Sequence, residues 1–266
     1  CIIHCAAQPS HDKAADIPIL DFEVNARGTI NLLEATRKYA HNAVFVHVST
    51  NKVYGDAPNN LSLIELEKRY DFKDEIYKKG ISESFTVDQS KHSLFGASKL
   101  SADIIAQEYG RYFNMNVGIF RGGCLTGPQH AGVELHGFLS YIVKCALAGK
   151  HYNIFGYKGK QVRDQIHCSD VISAFDCFVN NPKKGEVYNI GGEKENSASI
   201  LEVIDKIEYL SNKKLNYSYE KSNRIGDHIC YYTDMTKFRD HYPEWQKRYK
   251  LNDIIEEIIY NVKSRR

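Results

Sequence analysis

Ala43-Val-Phe-Val-His-Val-Ser-Thr-Asn-Lys-Val-Tyr-Gly55 is the stretch on which the fold turns. Ala43 to Ser49 is rich in β-branched residues, the composition of a strand buried on both faces and central in a parallel sheet. From Val48 the run passes into a polar turn, Thr50-Asn-Lys52, so the strand ends in groups that can do chemistry. On the N-terminal side, Cys1 to Ala7 is a short apolar strand closed by small residues. A loop with Pro9, His11 and Asp12 follows. Ile19, Phe22, Ile30, Leu32, Leu33 and Ala35 then recur at helical spacing, which predicts one long helix from about Asp16 to Tyr39, interrupted near Asn25 and Gly28. On the C-terminal side a polar insertion, Asp56 to Lys91, is expected to hold a short helix of its own. A helix from Ser93 to about Phe113 and a strand from Met115 to Arg121 come next. Strand, helix, strand, helix, strand predicts an α/β fold with a doubly wound parallel sheet.

After Gly122-Gly-Cys-Leu-Thr-Gly-Pro128 the character changes. A helix is expected from Leu135 to Leu147, with short strands near Tyr152 to Phe155. A basic turn, Gly156 to Asp164, and a helix from Val171 to Phe178 follow. Glu186 to Gly192 reads as a strand closed by two glycines, and Ser197 as the hydroxyl cap of a helix through Leu210. A last helix runs from Leu251 to Val262.

Composition excludes several functions. The 35 basic and 33 acidic side chains are interspersed along 266 residues, which gives no electrostatic case for nucleic acid or an acidic membrane surface. Seven scattered cysteines without a C-x-x-C pair point to a reducing, cytoplasmic setting and to no metal site. No apolar run reaches the ~18 residues of a membrane span.

Ligands of open parallel sheets bind beyond the carboxyl ends of the strands. Three pairs of small residues fall there in consecutive strands: Ala6-Ala7, Ser49-Thr50 and Gly122-Gly123. Any one pair reads equally well as tight packing; three together predict a bound cofactor. Thr50 can donate a hydrogen bond to a substrate oxygen. Lys99 can place an ammonium beside a cofactor ribose and lower the pKa of a neighbouring acid. Phe95 lies four residues before Lys99 on the same helical face, the spacing of a Tyr-x-x-x-Lys pair.

His4-Cys-Ala-Ala-Gln-Pro-Ser-His11, Ser49-Thr-Asn-Lys-Val-Tyr-Gly-Asp56, His92-Ser-Leu-Phe-Gly-Ala-Ser-Lys99, Phe120-Arg-Gly-Gly-Cys-Leu-Thr-Gly-Pro128, Gly159-Lys-Gln-Val-Arg-Asp164, Val187-Tyr-Asn-Ile-Gly-Gly192 and Asn223-Arg-Ile-Gly-Asp227 cover nearly the whole chain. In these stretches it resembles the extended short-chain dehydrogenase/reductase superfamily of nucleotide-sugar epimerases and dehydratases, and is most similar to its CDP-paratose 2-epimerase (tyvelose epimerase) branch. The resemblance implies an NAD-binding Rossmann domain (residues 1–124 and 160–192) and a smaller C-terminal α/β domain (125–159 and 193–266) that closes over a nucleotide-diphosphate sugar. It implies that Ala6, Ala7, Asn25, Ser49 and Gly122 line NAD and that Lys99 holds the nicotinamide ribose. Thr50 would meet the reacting sugar, and Arg163 and Arg224 would grip the diphosphate as guanidinium forks. Cys124, His130 and His136 lie in substrate-side stretches, and a homo-oligomer is expected. The implied reaction is redox-neutral: hydride leaves C2 for NAD, a 2-keto sugar turns over, and hydride returns to the opposite face.

Two departures qualify the likeness. The relatives' opening strand, Gly-x-x-Gly-x-x-Gly turn and helix are not in this sequence. The chain is therefore expected to be N-terminally truncated, with the first βαβ unit missing and NAD binding weak or absent. Phe95 stands where the superfamily places its acid-base tyrosine; His92, Asp88 and Cys124 are the candidates to supply the proton. Two alternatives stay open. A 4,6-dehydratase or reductase would want Asp-Glu after the threonine, where Asn51-Lys52 stands. A non-catalytic sugar-nucleotide-binding protein would suit Phe95.

Overall fold

The fold is built on four strands, β1 (Ile2–His4), β2 (Phe45–Thr50), β3 (Val117–Gly122) and β4 (Glu186–Ile190), which lie side by side in that order and all run parallel. They are seen in a computed structural model that describes residues 1–133, 137–221 and 226–264. Every residue of β3 is buried. Alternation along it feeds two cores. Val117 and Ile119 pack with Leu33, Phe45, Ala106 and Met115 under the helices Gly28–Tyr39 and Ser93–Tyr112. Phe120 packs on the opposite face with Phe175, Phe178, Tyr188 and Phe238. Gly118 is small because a Cβ there would stand 2.4 Å from the Phe178 ring. The expected parallel α/β sheet is thus present and covered on both faces.

β1 pairs with β2 through Ile2, Ile3 and His4. Several local expectations need correction. The helix expected from Asp16 to Tyr39 runs unbroken from Pro18 to Tyr39, with a π-helical turn Glu23–Arg27 where the interruption near Asn25 and Gly28 was expected, and a separate short helix, His11–Asp16, stands in the stretch expected as a loop. Pro18 has no N–H to continue that short helix and starts the long one. The π-helical turn carries Asn25, whose side chain is held outside the helix. The insertion 56–91 forms 3₁₀ turns and an antiparallel hairpin, Leu63–Glu65 with Tyr70–Phe72, in place of a helix. Ser197 belongs to a strand, Ser197–Ser199; the helix cap is Ser199, whose hydroxyl and Glu202 form a reciprocal capping box at Ile200–Ser211.

A second sheet centres on Val162–His167, which pairs with Ser197–Ser199 antiparallel and with Cys230–Tyr231 and Cys124–Thr126 parallel. Beyond it, helices Phe138–Ala148, Ile200–Ser211 and Leu251–Ser264 bury Ile142, Val203, Ile207, Ile254 and Ile258 in a separate core with the paired strands Tyr152–Phe155 and Tyr217–Glu220. Met235, Phe238, Tyr242 and Trp245, expected with this smaller unit, pack instead on the parallel sheet. The carboxyl ends of β2 and β3 open toward the second sheet. Among the described residues, no helix is long and apolar enough to cross a membrane and no group of His, Cys, Asp and Glu is placed to hold a metal ion.

Candidate active site

The helix Ser93–Tyr112 sets the site because its buried face carries Phe95, Gly96, Ser98, Lys99 and Asp103 against β2 and the turn that follows it. Gly96 permits the approach: a Cβ there would lie 3.0 Å from the Lys52 carbonyl oxygen. One turn on, the Lys99 ammonium donates to the Val48 carbonyl oxygen at 2.8 Å. Lys99 is only 4% exposed. Burial lowers its pKa to about 8, and Asp103, Cys5 and Asp21 nearby act the other way without restoring it. An ammonium has three protons and this one satisfies a single carbonyl, so it is a donor built for something further.

Thr50 ends β2 half-buried, and its hydroxyl oxygen caps the 3₁₀ turn Asn51–Tyr54 by accepting from the Lys52 N–H at 3.2 Å. Its own proton points toward Asn51 Oδ1 at 3.5 Å, too long to hold it. The hydroxyl can therefore turn to a ligand. Ala6 is exposed and Ala7 half-buried just beyond β1, and Gly122 ends β3 with Leu125 packed where its Cβ would be.

Two residues expected at the cofactor have their side chains engaged within the protein. Asn25 is 1% exposed; its amide accepts from Gln8 N at 2.8 Å and donates to the Gln8 carbonyl, Asp21 and Ser98, so it clamps the loop after β1 to the long helix. The Ser49 hydroxyl donates to Asp103 at 2.5 Å under the sheet, leaving only its backbone toward the site.

Phe95 lies 7% exposed against the ring of His11, with centroids 4.8 Å apart. The three residues expected to replace a tyrosine have different surroundings. His92 has Nδ1 at 2.8 Å from the Ser90 carbonyl and Nε2 at 2.9 Å from the Val53 carbonyl, so both ring nitrogens are locked onto backbone. Burial pushes the Cys124 thiol up to about 11. Asp88 is exposed on the insertion, where its backbone N–H is held by the Thr86 hydroxyl.

On the substrate side, the Arg163 guanidinium faces Asp227 at 3.5 Å and donates to the Val162 carbonyl. The Lys52 ammonium reaches the Gly226 carbonyl at 2.7 Å. Beside them a cavity of about 440 Å³ is lined by Tyr70, Tyr157, Lys158 and Tyr219. Burial raises the Tyr157 pKa, with Asp227 acting in the same sense and Arg163 opposing, which places this ring near the Arg163–Asp227 pair. His130 packs against Gly137. Arg224 and His136 lie outside the described residues.

Sequence reasoning missed the support beneath the site. Asp103 accepts two bonds from Arg121 at 2.9 and 3.0 Å, one from Ser49 and one from Gln107. Arg121 also donates to Tyr54, which donates to Asn189. An arginine inside an otherwise apolar strand was the available signal, because a buried guanidinium must have a carboxylate nearby. Asp164 is a second such pin: its carboxylate accepts the Glu193 and Thr233 N–H groups. Gly191 must be small there, since a Cβ would fall 2.1 Å from Thr233 Oγ1.

Residues 1–191 match the sequence model of the NAD dependent epimerase/dehydratase family. Among curated relatives, the chain is 32% identical over 262 residues to CDP-paratose 2-epimerase of Salmonella typhi, covering 96% of this chain and 75% of that protein. It is 30% identical over 228 residues to dTDP-glucose 4,6-dehydratase of Salmonella typhimurium, covering 81% of this chain but 58% of the relative. Among solved structures it superposes with a TM-score of 0.80 at 26% identity on a tyrosine-to-phenylalanine mutant of UDP-glucuronic acid 4-epimerase from Bacillus cereus, in complex with a UDP-fluoro sugar and NAD, covering 100% of this chain and 76% of that one. dTDP-glucose 4,6-dehydratase from Bacillus anthracis with NAD gives a TM-score of 0.74 at 26% identity over 99% and 72% of the two chains.

Proposed function

The chain belongs to the NAD dependent epimerase/dehydratase family, and from that premise we propose that it is an epimerase of a nucleotide-diphosphate sugar, inverting C2 of a CDP-sugar. The observation that carries this reading is Lys99: a desolvated ammonium, anchored at the carboxyl edge of a parallel sheet by the Val48 carbonyl, two residues before a threonine whose hydroxyl has no firm acceptor.

The residues fit the nicotinamide-ribose end of NAD. Lys99 has two protons left for ribose hydroxyls, and Ala6 and Ala7 leave the end of β1 without bulk. NAD, when bound, supplies the hydride acceptor that also returns the hydride. The chain's own groups do the rest. Thr50 donates to the sugar oxygen at the reacting carbon, orienting it and stabilising charge that develops there. Lys99 holds positive charge beside the same oxygen and favours loss of its proton. Arg163, already within reach of one carboxylate, exchanges Asp227 for the substrate diphosphate. The tyrosine-lined cavity next to it offers aromatic faces to the base. Free cysteines throughout suit a cytoplasmic enzyme.

The CDP-sugar and C2 assignment is supported by the 96% coverage of the match to CDP-paratose 2-epimerase. A 4,6-dehydratase is the second reading, favoured by the dehydratase matches. Against it, the positions after Thr50 hold no acid: Asn51 is buried and Lys52 is tied to the Gly226 carbonyl. Incubating the full-length protein with NAD and CDP-paratose in D₂O, followed by proton NMR, tests the proposal. The expected product is the C2 epimer with its C2 hydrogen unexchanged. A 4-keto-6-deoxy sugar would select the dehydratase, and binding without turnover would select a sugar-nucleotide-binding protein.

A further inference from the structure

Phe95 removes the acid-base group from the helix, and the next ionisable side chain along the same buried face is Lys99, one turn on. Its ammonium is anchored to the Val48 carbonyl oxygen at 2.8 Å. The charged and titratable groups around it are Asp103 on its own helix, Asp21 on the helix Pro18–Phe22, His4 and Cys5 at the end of β1, and His47 on β2. Both carboxylates are occupied by other donors. Asp103 takes Arg121, Ser49 and Gln107, and Asp21 takes Gln8, Asn25 and Ser98. Burial lowers the pKa of both imidazoles, and the Lys99 charge acts in the same sense, so neither offers it a negative partner. Burial with no carboxylate bonded to it is the setting in which a lysine gives up its proton close to neutrality, and its pKa is accordingly down to about 8.

We propose that Lys99 itself takes and returns the substrate proton, in place of the tyrosine that Phe95 replaces. The inference rests on the epimerase reading above. As the neutral amine, Nζ keeps two N–H bonds, one for the Val48 carbonyl and one for a ribose hydroxyl, and has a lone pair for the sugar O–H. That proton passes to Nζ, and the O–H pair becomes the C=O π bond as the C–H pair of the same carbon leaves to the nicotinamide. On return of the hydride to the other face, the ammonium gives the proton back to the oxygen, so neither group is changed over a cycle. The Thr50 hydroxyl, two residues beyond the anchoring carbonyl, holds the same oxygen throughout.

The full-length protein with NAD and CDP-paratose tests this. Wild-type kcat should rise about tenfold per unit of pH below about 8 and level above it. Lys99→Arg keeps a charged donor that cannot be deprotonated, and kcat should fall roughly 10²- to 10⁴-fold. Adding Phe95→Tyr to K99R supplies a phenol and should regain at least about tenfold. In Lys99→Ala, primary amines added to the buffer should restore turnover in the order of their basicity, whereas guanidinium, a cation with no lone pair to offer, should not. A flat wild-type profile between about pH 6 and about 9 overturns the proposal, as does K99R activity within about threefold of wild type, guanidinium rescue equal to amine rescue, or a protein that turns over only as F95Y. A readout without turnover separates this inference from the substrate assignment. Acetylation of Lys99 by acetic anhydride, followed by peptide mass spectrometry across pH, should titrate near 8; titration near the ordinary 10.5 excludes Lys99 whatever the substrate. If CDP-paratose is inverted without the limb near 8, the substrate reading stands and Lys99 falls. If the limb and the amine rescue appear only with a UDP- or dTDP-sugar, the CDP assignment fails and Lys99 is upheld.

Discussion

Lys99 and Asp103 are one helical turn apart on the same buried face, and their surroundings could hardly differ more. Asp103, fully buried, accepts four hydrogen bonds from Arg121, Ser49 and Gln107. Lys99 is nearly as buried and has one carbonyl. A buried charge with every lone pair met is a structural pin; a buried charge left short of partners raises the energy of the folded chain unless a ligand completes it. The contrast separates the helix into a part that holds the sheet together and a part that waits for substrate and cofactor, and it can be tested at each end.

The largest effect is expected at the satisfied end. Asp103→Ala leaves the Arg121 guanidinium buried without its carboxylate, and stability should fall by about 3–5 kcal/mol. Urea denaturation measures it. A loss below about 1 kcal/mol would show that water reaches Arg121 and that the pair is not the pin described here.

At the other end the sign reverses. The folded pKa of Lys99, about 8, lies below the 10.5 of an ordinary lysine, so between those values the unfolded chain binds more protons than the folded one. The penalty of burying the ammonium is full below about pH 8 and is relieved as pH rises toward 10.5. Lys99→Met should therefore be more stable than wild type near neutral pH by on the order of 2 kcal/mol. That advantage should shrink in melts taken at increasingly alkaline pH, while turnover is lost. An advantage that does not change with pH would place the ammonium in water.

How far the sequence reveals this contrast depends on whether a feature is local. The β-branched run into Thr50, and the spacing of Phe95 and Lys99 on one helical face, were readable because strand and helix periods are properties of the chain itself. The hairpin at Leu63–Phe72 was not, since it depends on what the segment packs against. The same holds inside the site. His11 and Phe95 are 84 positions apart, and no spacing rule joins them; only folding of the loop after β1 onto the long helix does. Asn25 and Ser49 sit in motifs that suggested cofactor contact, yet their side chains are engaged by Gln8 and Asp103, because a polar atom buried in tertiary packing takes the nearest partner.

Ser49 offers the finest test of where the boundary lies, as it follows Val48, whose carbonyl receives Lys99, and itself donates to Asp103. If its side chain belongs to the pin, Ser49→Ala removes one of four bonds to a carboxylate that keeps Arg121 and Gln107. The expected loss is about 1.5 kcal/mol in urea denaturation, the lower end for a bond to a charged group because the remaining donors still neutralise it. NADH affinity, followed by the fluorescence of the reduced nicotinamide, should be unchanged, since only the Ser49 backbone faces the site. A weakened cofactor with stability intact would reverse the assignment and extend the ligand-waiting part of the fold from Lys99 down into β2.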